Sequence, residues 1–572
     1  MKEKKKGDRV KVVDSKKQVL LKNGLIVDGS GAKGFTGDLL IQGSQIKEVS
    51  PHPITFAGET LDCTGKVIAP GFIDIHSHMD GTLSFKGCEN LKTPFIAQGC
   101  TTVVAGNCGL NVGNIRKSSP FTNKVVHDNY IQESTWEDMD GYFRHLEQIG
   151  ISHNIIDLVG NGTTRHSLRG LKPSPLEDEE SRKLLRRIEE DLDQGAAGVS
   201  FGLQYAPDLF CTNDEILAVA RLVKSKDKIL TVHGRAYSFY SGAYHRDESG
   251  TSHSLLSLRE MIDVARKTGV RLQYSHLMFA GSKSHVAYRA CLEELDKARA
   301  EGVDVMTDTY PYHCGISVIN VILPARFQAA LASGAEIDEN AVASVERSLH
   351  RMREAIGFGF EDIQLGFADH PEFKEFNGKF ISEIADQLGI SPTKVVLRLS
   401  ELTKGRARIL NHNYSNMEVI DALIKHPACL FMTDSTVAVS GLQNPASFGS
   451  FPLLLQYARD RKLIPLEETV RKMTGASADR LKIKDRGLLR KGLAADITVF
   501  DWNQVRDNNT VTQTDQAPTG IEAVFINGRQ VKTFEHIDGS ANAGKVLRIL
   551  REFKGKARRK KVGPDDNEAY QR

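Results

Sequence analysis

Between about 67 and 440, apolar and polar positions repeat one cadence: an amphipathic helix, a glycine stop, then a short apolar run ending in polar residues. Leu184, Leu185, Ile188 and Leu192 form a stripe at i, i+3 and i+4 spacing, Gly195 ends it, and AAGVSFGLQY follows. Gly150, Gly269 and Gly302 mark the same joint before ISHNIIDLVGNG, VRLQYSHLM and VDVMTDTYPY. Adding VIAPGFIDIHSHMD, TTVVAGNCG, KILTVHGRA and ACLFMTDST gives eight strands. Nearly all are continuous apolar runs, the texture of a parallel sheet buried on both faces. Eight strands alternating with helices predict an α/β chain built on a (β/α)₈ TIM-like barrel, with its active site at the carboxyl ends of the strands. A doubly wound open sheet is the alternative, but no glycine-rich phosphate fingerprint follows any strand.

The pattern changes outside this region. VLLKNGLIVDGSG and DLLIQGSQIKEVS near the start, and DITVFD and IEAVFINGRQVKTF near the end, alternate in strand period around Asn-Gly and Gly-rich turns. The two ends are expected to form one small β-sandwich from 18–66 and 481–545, flanking a barrel over 67–480. The long gap between strands seven and eight predicts an inserted subdomain at about 325–405, near the barrel mouth. Basic tails are expected at 1–17 and 546–572.

A length of 572 residues suits one large catalytic domain with small appendages. The 75 basic and 72 acidic residues leave a net charge of +3, which argues against a polyanion-binding surface, so no nucleic-acid partner is expected. The lysine and arginine runs at either end read as solvated tails. No apolar stretch reaches the length of a membrane span, and Lys16, Lys17 and Lys22 interrupt the only candidate for a leader. A cytoplasmic protein without a membrane partner is expected, with association into a homo-oligomer left open. Eight cysteines without paired spacing read as reduced thiols.

Chemistry enters with His76 and His78, two residues apart at the end of the first strand, where both imidazoles can reach one point. Cys108 in GNCG, His233 in TVHGR, His276 in YSHLM and Asp434 in MTDS hold the same place on their own strands. Taken singly, His233 reads as a hydrogen-bonded core histidine, Cys108 as a small buried hydrophobe and Asp434 as a helix cap. A barrel, however, points its strand ends at one centre, and a thiolate among imidazoles favours zinc over magnesium or calcium. His166 and His313, just past strand ends, are candidates for supporting groups, and the remaining histidines read as structural.

With PGFIDIHSHMD, terminal strands split between the two ends and GLAADITVFD, the chain resembles the metal-dependent amidohydrolase superfamily over nearly its whole length. Within it the chain looks most like the N-acyl-D-amino-acid deacylases, through TTVVAGNCG, GLQYAPD, HGRA, SHLM, DTYPY and TDS. The resemblance implies that Cys108, in the place other subfamilies give to a carboxylated lysine, joins His233 and His276 in holding a tight zinc. It implies a second, weaker site framed by His76, His78, Cys108 and Asp434, and Asp434 as the general base. Tyr205 and Tyr310 match substrate-binding tyrosines.

Two departures concern the substrate. Where the family carries an arginine and a lysine that grip a carboxylate, this chain has Ala446 and Met278. The expected reaction is therefore zinc-dependent hydrolysis of a small-molecule N-acyl amide, neutral or aromatic, that lacks the usual D-amino-acid carboxylate. One alternative is a true N-acyl-D-amino-acid deacylase drawing its arginine from elsewhere, such as Arg235 or Arg326. Others are a cyclic-amide hydrolase, disfavoured because AAGVSFGLQY has no lysine, and a non-catalytic binding protein, disfavoured because every ligand is retained.

Overall fold

The computed structural model describes residues 17–121, 124–127, 130–245, 250–323 and 339–550. The basic runs at the two ends lie outside these residues. Eight parallel strands follow one another in chain order: Phe72–Asp74, Cys100–Ala105, Asn154–Asp157 continued by Val159–Gly160, Gly198–Gly202, Ile229–His233, Arg271–Tyr274, Val305–Thr309 and Cys429–Phe431. The ring closes just beyond the last strand, where Asp434 N donates to His76 O at 2.9 Å and His78 N donates to Ser435 O at 3.0 Å. Ile73, Val104, Ile156, Ile229 and Leu430 gather in one apolar cluster. Their strand neighbours Phe72, Val103, Ile155, Leu230 and Phe431 pack in another, with the helix residues Leu184, Ile188 and Leu258. Burial on both faces is why these strands read as continuous apolar runs.

The helices are set by local signals. Thr212 caps Asn213–Ser225 and Glu215 bonds back to it, a reciprocal pair that satisfies two free donors of the first turn. His253–Thr268 ends on Gly269 in the left-handed region, at φ 68°.

The terminal segments meet in an eight-stranded sheet whose halves share an apolar core that includes Leu39, Ile41, Ile497 and Phe525. Asn527 and Gly528, at φ 47° and 77°, turn Ile521–Ile526 into Arg529–Lys532. Asn23-Gly24 makes no such turn. It lies within the strand Gln18–Ile26, where the register against the neighbouring strand shifts.

Three boundaries differ from the sequence expectation. Val67–Pro70 belongs to the terminal sheet, pairing with Ile497–Phe500, and the barrel starts after Gly71, where a Cβ would lie 2.2 Å from Thr101 Oγ1. Continuous hydrophobicity across 67–75 hid this handover, because both pieces are buried. The inserted subdomain is wider than 325–405: Gly315–Val318 pairs antiparallel with Arg408–Asn411, which also pairs with Ile363–Phe367, around a core of Ile319, Leu365, Ile384 and Val395. At the other end, the expected tail begins too early. Leu547 N donates to Ile155 O at 2.8 Å and Ile549 N to Gly195 O at 2.8 Å, so 546–550 is bound to the barrel.

Sheet and barrel are joined by a buried polar knot. Asp496 accepts from Arg486, from Asn154 Nδ2 at 3.0 Å and from Asn527 N at 2.6 Å, while Asn527 Nδ2 donates to Asn154 Oδ1 at 2.7 Å. Removing Asp496 takes from buried Arg486 one of its two carboxylate partners, the other being the exposed Asp485, and strands the donors of Asn154 and Asn527, at a cost of about 3–5 kcal/mol. Asp496→Ala is expected to lower the denaturant midpoint accordingly, whereas a loss below about 1 kcal/mol would remove the knot from the fold's stability.

Candidate metal centre

The carboxyl ends of the first, second, fifth, sixth and eighth strands bring all six predicted ligands together. His76, His78, Cys108 and Asp434 form one group and Cys108, His233 and His276 a second, with the donor atoms of each group all within 4.8 Å of one another. Cys108 is common to both. Its Sγ lies 3.3 Å from His76 Nε2 and 3.5 Å from His276 Nε2. Asp434 Oδ1 lies 3.1 Å from His76 Nε2 and 3.3 Å from His78 Nε2. Cys108, His276 and Asp434 take φ of 55°, 33° and 51°. This left-handed backbone is uncommon for residues with a side chain and persists where surrounding structure holds it.

Supporting residues fix these side chains. Asp74 accepts from Thr433 N at 3.0 Å and Thr433 Oγ1 at 2.7 Å, which pins the eighth strand beside the first and sets Asp434 next to His76. Asp308 accepts from His276 N at 2.6 Å and Gln273 Nε2 at 2.7 Å, and its Oδ1 is 3.6 Å from His76 Nδ1. Gln204 Oε1 lies 2.7 Å from His233 Nε2. The expectation named neither Asp308 nor Gln204. An acid inside an otherwise apolar strand, as in VDVMTDTYPY, is the signal that could have found Asp308.

Burial alone would push the Cys108 thiol up. His76 and His276, with hydrogen bonds from His233 and His276, instead bring it well below the ordinary thiol range. Burial would likewise raise the Asp434 carboxyl, but His276 and His76 hold it well below the usual carboxylate value. The donor set fits zinc. With Zn–S near 2.3 Å and Zn–N near 2.0 Å, tetrahedral ligands stand about 3.5 Å apart, which matches the spacing from Cys108 Sγ to the two imidazoles.

The other predicted residues are placed as follows. Tyr205 packs its ring 5.0 Å from that of His233, and its hydroxyl donates to Cys108 O at 2.7 Å, so it supports the cysteine turn. Tyr310 and Met278 line a small cavity with His276, Tyr312 and Tyr414. Ala446 is fully buried at the start of the helix Ala446–Asp460. That helix begins twelve residues after Asp434, so Asp434 caps no helix. His166 faces Phe121 and His313 Nδ1 lies 2.9 Å from Ser415 O, both outside the two donor groups. His153 is buried beside Ser152, and His412 follows a strand of the insertion.

A closed parallel barrel with converging imidazoles, a cysteine and a carboxylate at its carboxyl face is the architecture of a metal-dependent hydrolase. The sequence profile of the amidohydrolase family matches residues 59–273 and 335–532, and the chain belongs to that family. It is 29% identical to a D-aminoacylase of Alcaligenes xylosoxydans xylosoxydans, over 92% of this chain and 97% of that protein. It is 28% identical to an N-acyl-D-aspartate deacylase of the same organism, over 91% and 93%. Among solved structures, the N-acyl-D-glutamate deacylase of Bordetella bronchiseptica, complexed with zinc and a phosphonate mimic of the tetrahedral intermediate, superposes with a TM-score of 0.75. That match is at 25% identity and covers 93% of this chain and all of the other. The likeness to N-acyl-D-amino-acid deacylases holds in sequence and fold alike. Among the described residues, no helix is long and apolar enough to cross a membrane.

Proposed function

We propose that this chain is a zinc-dependent amidase that cleaves an N-acyl amide whose amine side carries no free carboxylate. The reading rests on one observation: among the described residues, the narrow crevice beside His276 is lined by Leu277, Met278, Thr309, Tyr310, Tyr312, Tyr414 and Ser415, without a lysine or arginine. Anchoring a carboxylate there would need a charge-assisted hydrogen bond worth about 1.5–3 kcal/mol, and no lining residue supplies a cation.

Cys108, His233 and His276 would hold the tighter zinc, with His76, His78, Cys108 and Asp434 framing a weaker position. Zinc bound there would polarise the scissile carbonyl and acidify water. The protein's own part in the reaction is proton movement and orientation. The Asp434 carboxylate takes the proton of the attacking water and returns it to the leaving nitrogen, while His76 and His78 hold its Oδ1. Tyr310, whose hydroxyl makes a weak 4.0 Å contact with Met278 Sδ, would donate toward the substrate.

The rival reading, a deacylase of N-acyl-D-amino acids, requires a cation from elsewhere. Arg235 is committed to Glu260 Oε1 at 2.7 Å, Cys211 O at 3.0 Å and Leu209 O at 3.3 Å, and Arg326 lies outside the described residues. Matched pairs of N-acyl amino acids and their carboxamides, assayed with and without a chelator, decide the matter. Chelation is expected to abolish turnover and zinc to restore it, with the carboxamide preferred. A strong preference for the free acid would overturn the proposal.

A further inference from the structure

Building on that reading, we propose that Tyr312, oriented by Asp507, is a specificity-determining acceptor that selects substrates carrying an N–H donor on the amine side, a carboxamide or an amine, over the free acid. Tyr312 lines the cavity beside His276, Met278 and Tyr310. Its hydroxyl donates to Asp507 Oδ2 at 2.8 Å. A phenol has a single proton, and Asn509 Nδ2 also approaches this oxygen at 3.5 Å, so what Tyr312 can offer the cavity is its remaining lone pair. Asp507 is in turn held by Asn509, whose backbone N lies 3.1 Å and side-chain Nδ2 2.6 Å from Oδ1. Burial raises the Asp507 carboxyl, and these donors work in the opposite direction.

The resemblance assigns the carboxylate-gripping arginine to position 446, and the pair packs against the helix that begins there. Ala446 and Gly449 share one face of the helix Ala446–Asp460, three residues apart. A Cβ on Gly449 would come within 3 Å of Asp507 Oδ1 and of the Tyr312 hydroxyl, so this helix face packs directly on the pair. Asn509 Nδ2 also reaches Pro445 O at 3.5 Å. Small residues at 446 and 449 thus make room for an acid and an acceptor on the face to which the resemblance assigns a cation. A substrate carboxylate entering here would meet a lone pair backed by negative charge, whereas an N–H group would meet a fitting acceptor.

The test compares N-acetyl-phenylalanine with its carboxamide, in both enantiomers, on the zinc-loaded full chain. Wild type is expected to prefer the carboxamide. In Asp507→Asn the new side-chain amide can donate to the tyrosine oxygen and free its proton, and in Tyr312→Phe the acceptor is gone. Both are expected to cut the carboxamide-over-acid ratio of kcat/KM about ten- to hundredfold, mainly through KM, with zinc content unchanged. If Asp507→Asn does not fold, Tyr312→Phe carries the test, since it removes one oxygen atom. A ratio within about twofold of wild type in the folded variants overturns the role of Tyr312 and leaves the amidase reading standing. A wild-type preference for the free acid overturns both.

Discussion

Cys108→Ala is expected to strip the zinc from the purified protein and abolish amide hydrolysis. Its sulfur is the one donor common to both groups at the barrel mouth. It is also the only sulfur in either group, its thiol held well below the ordinary range against its own burial by His76 and His276. Loss of a residue that merely supports a ligand costs about ten- to a hundredfold in metal affinity, and loss of the ligand itself costs more. His233→Ala and His276→Ala should behave alike, since each removes one of the three donors of the Cys108, His233 and His276 group, proposed to hold the tighter zinc. His78→Ala provides the contrast: it belongs only to the other group, so about one zinc per chain should remain. Zinc per chain and kcat, measured on all four, decide the assignment. Near-stoichiometric zinc with ordinary turnover in the Cys108, His233 or His276 variant would remove that residue from the centre.

Asp434→Asn is expected to lower kcat by roughly 10² to 10⁴-fold while leaving zinc at Cys108, His233 and His276. The substitution keeps the size and one oxygen at the position but removes the proton acceptor. Because Asp434 begins no helix, loss of a cap cannot account for such an effect. The variant should also keep its fold, since Asp74 and Thr433, rather than the Asp434 side chain, tie the eighth strand to the first. A kcat within a few-fold of wild type would exclude Asp434 as the base.

Residue type and strand-end position were enough to nominate every member of the two donor groups. A barrel converts six distant positions into one locus through a rule of topology, and His76, Cys108, His276 and Asp434 each stand where an apolar run turns polar. The groups that steady them were harder to see. Asp308 and Gln204 act through a backbone amide and an imidazole brought near only by folding, and neither residue is unusual where it stands. The handover at Gly71 was hidden for a related reason, because hydrophobicity reports burial and not which sheet does the burying.

By itself, then, the sequence determined the repeating helix and strand units, their closure into a barrel and the metal-binding chemistry at its mouth, all of which follow from period, punctuation and residue type. Only the tertiary structure decided what surrounds that chemistry. The three tyrosines beside Met278 come from the seventh strand's loop and from the chain's return out of the insertion, and the acid behind Tyr312 comes from a segment near the far end of the chain. Contacts across nearly two hundred residues leave no local trace in composition or spacing, so the metal-ligand groups were legible in the chain and the cavity beside them was not.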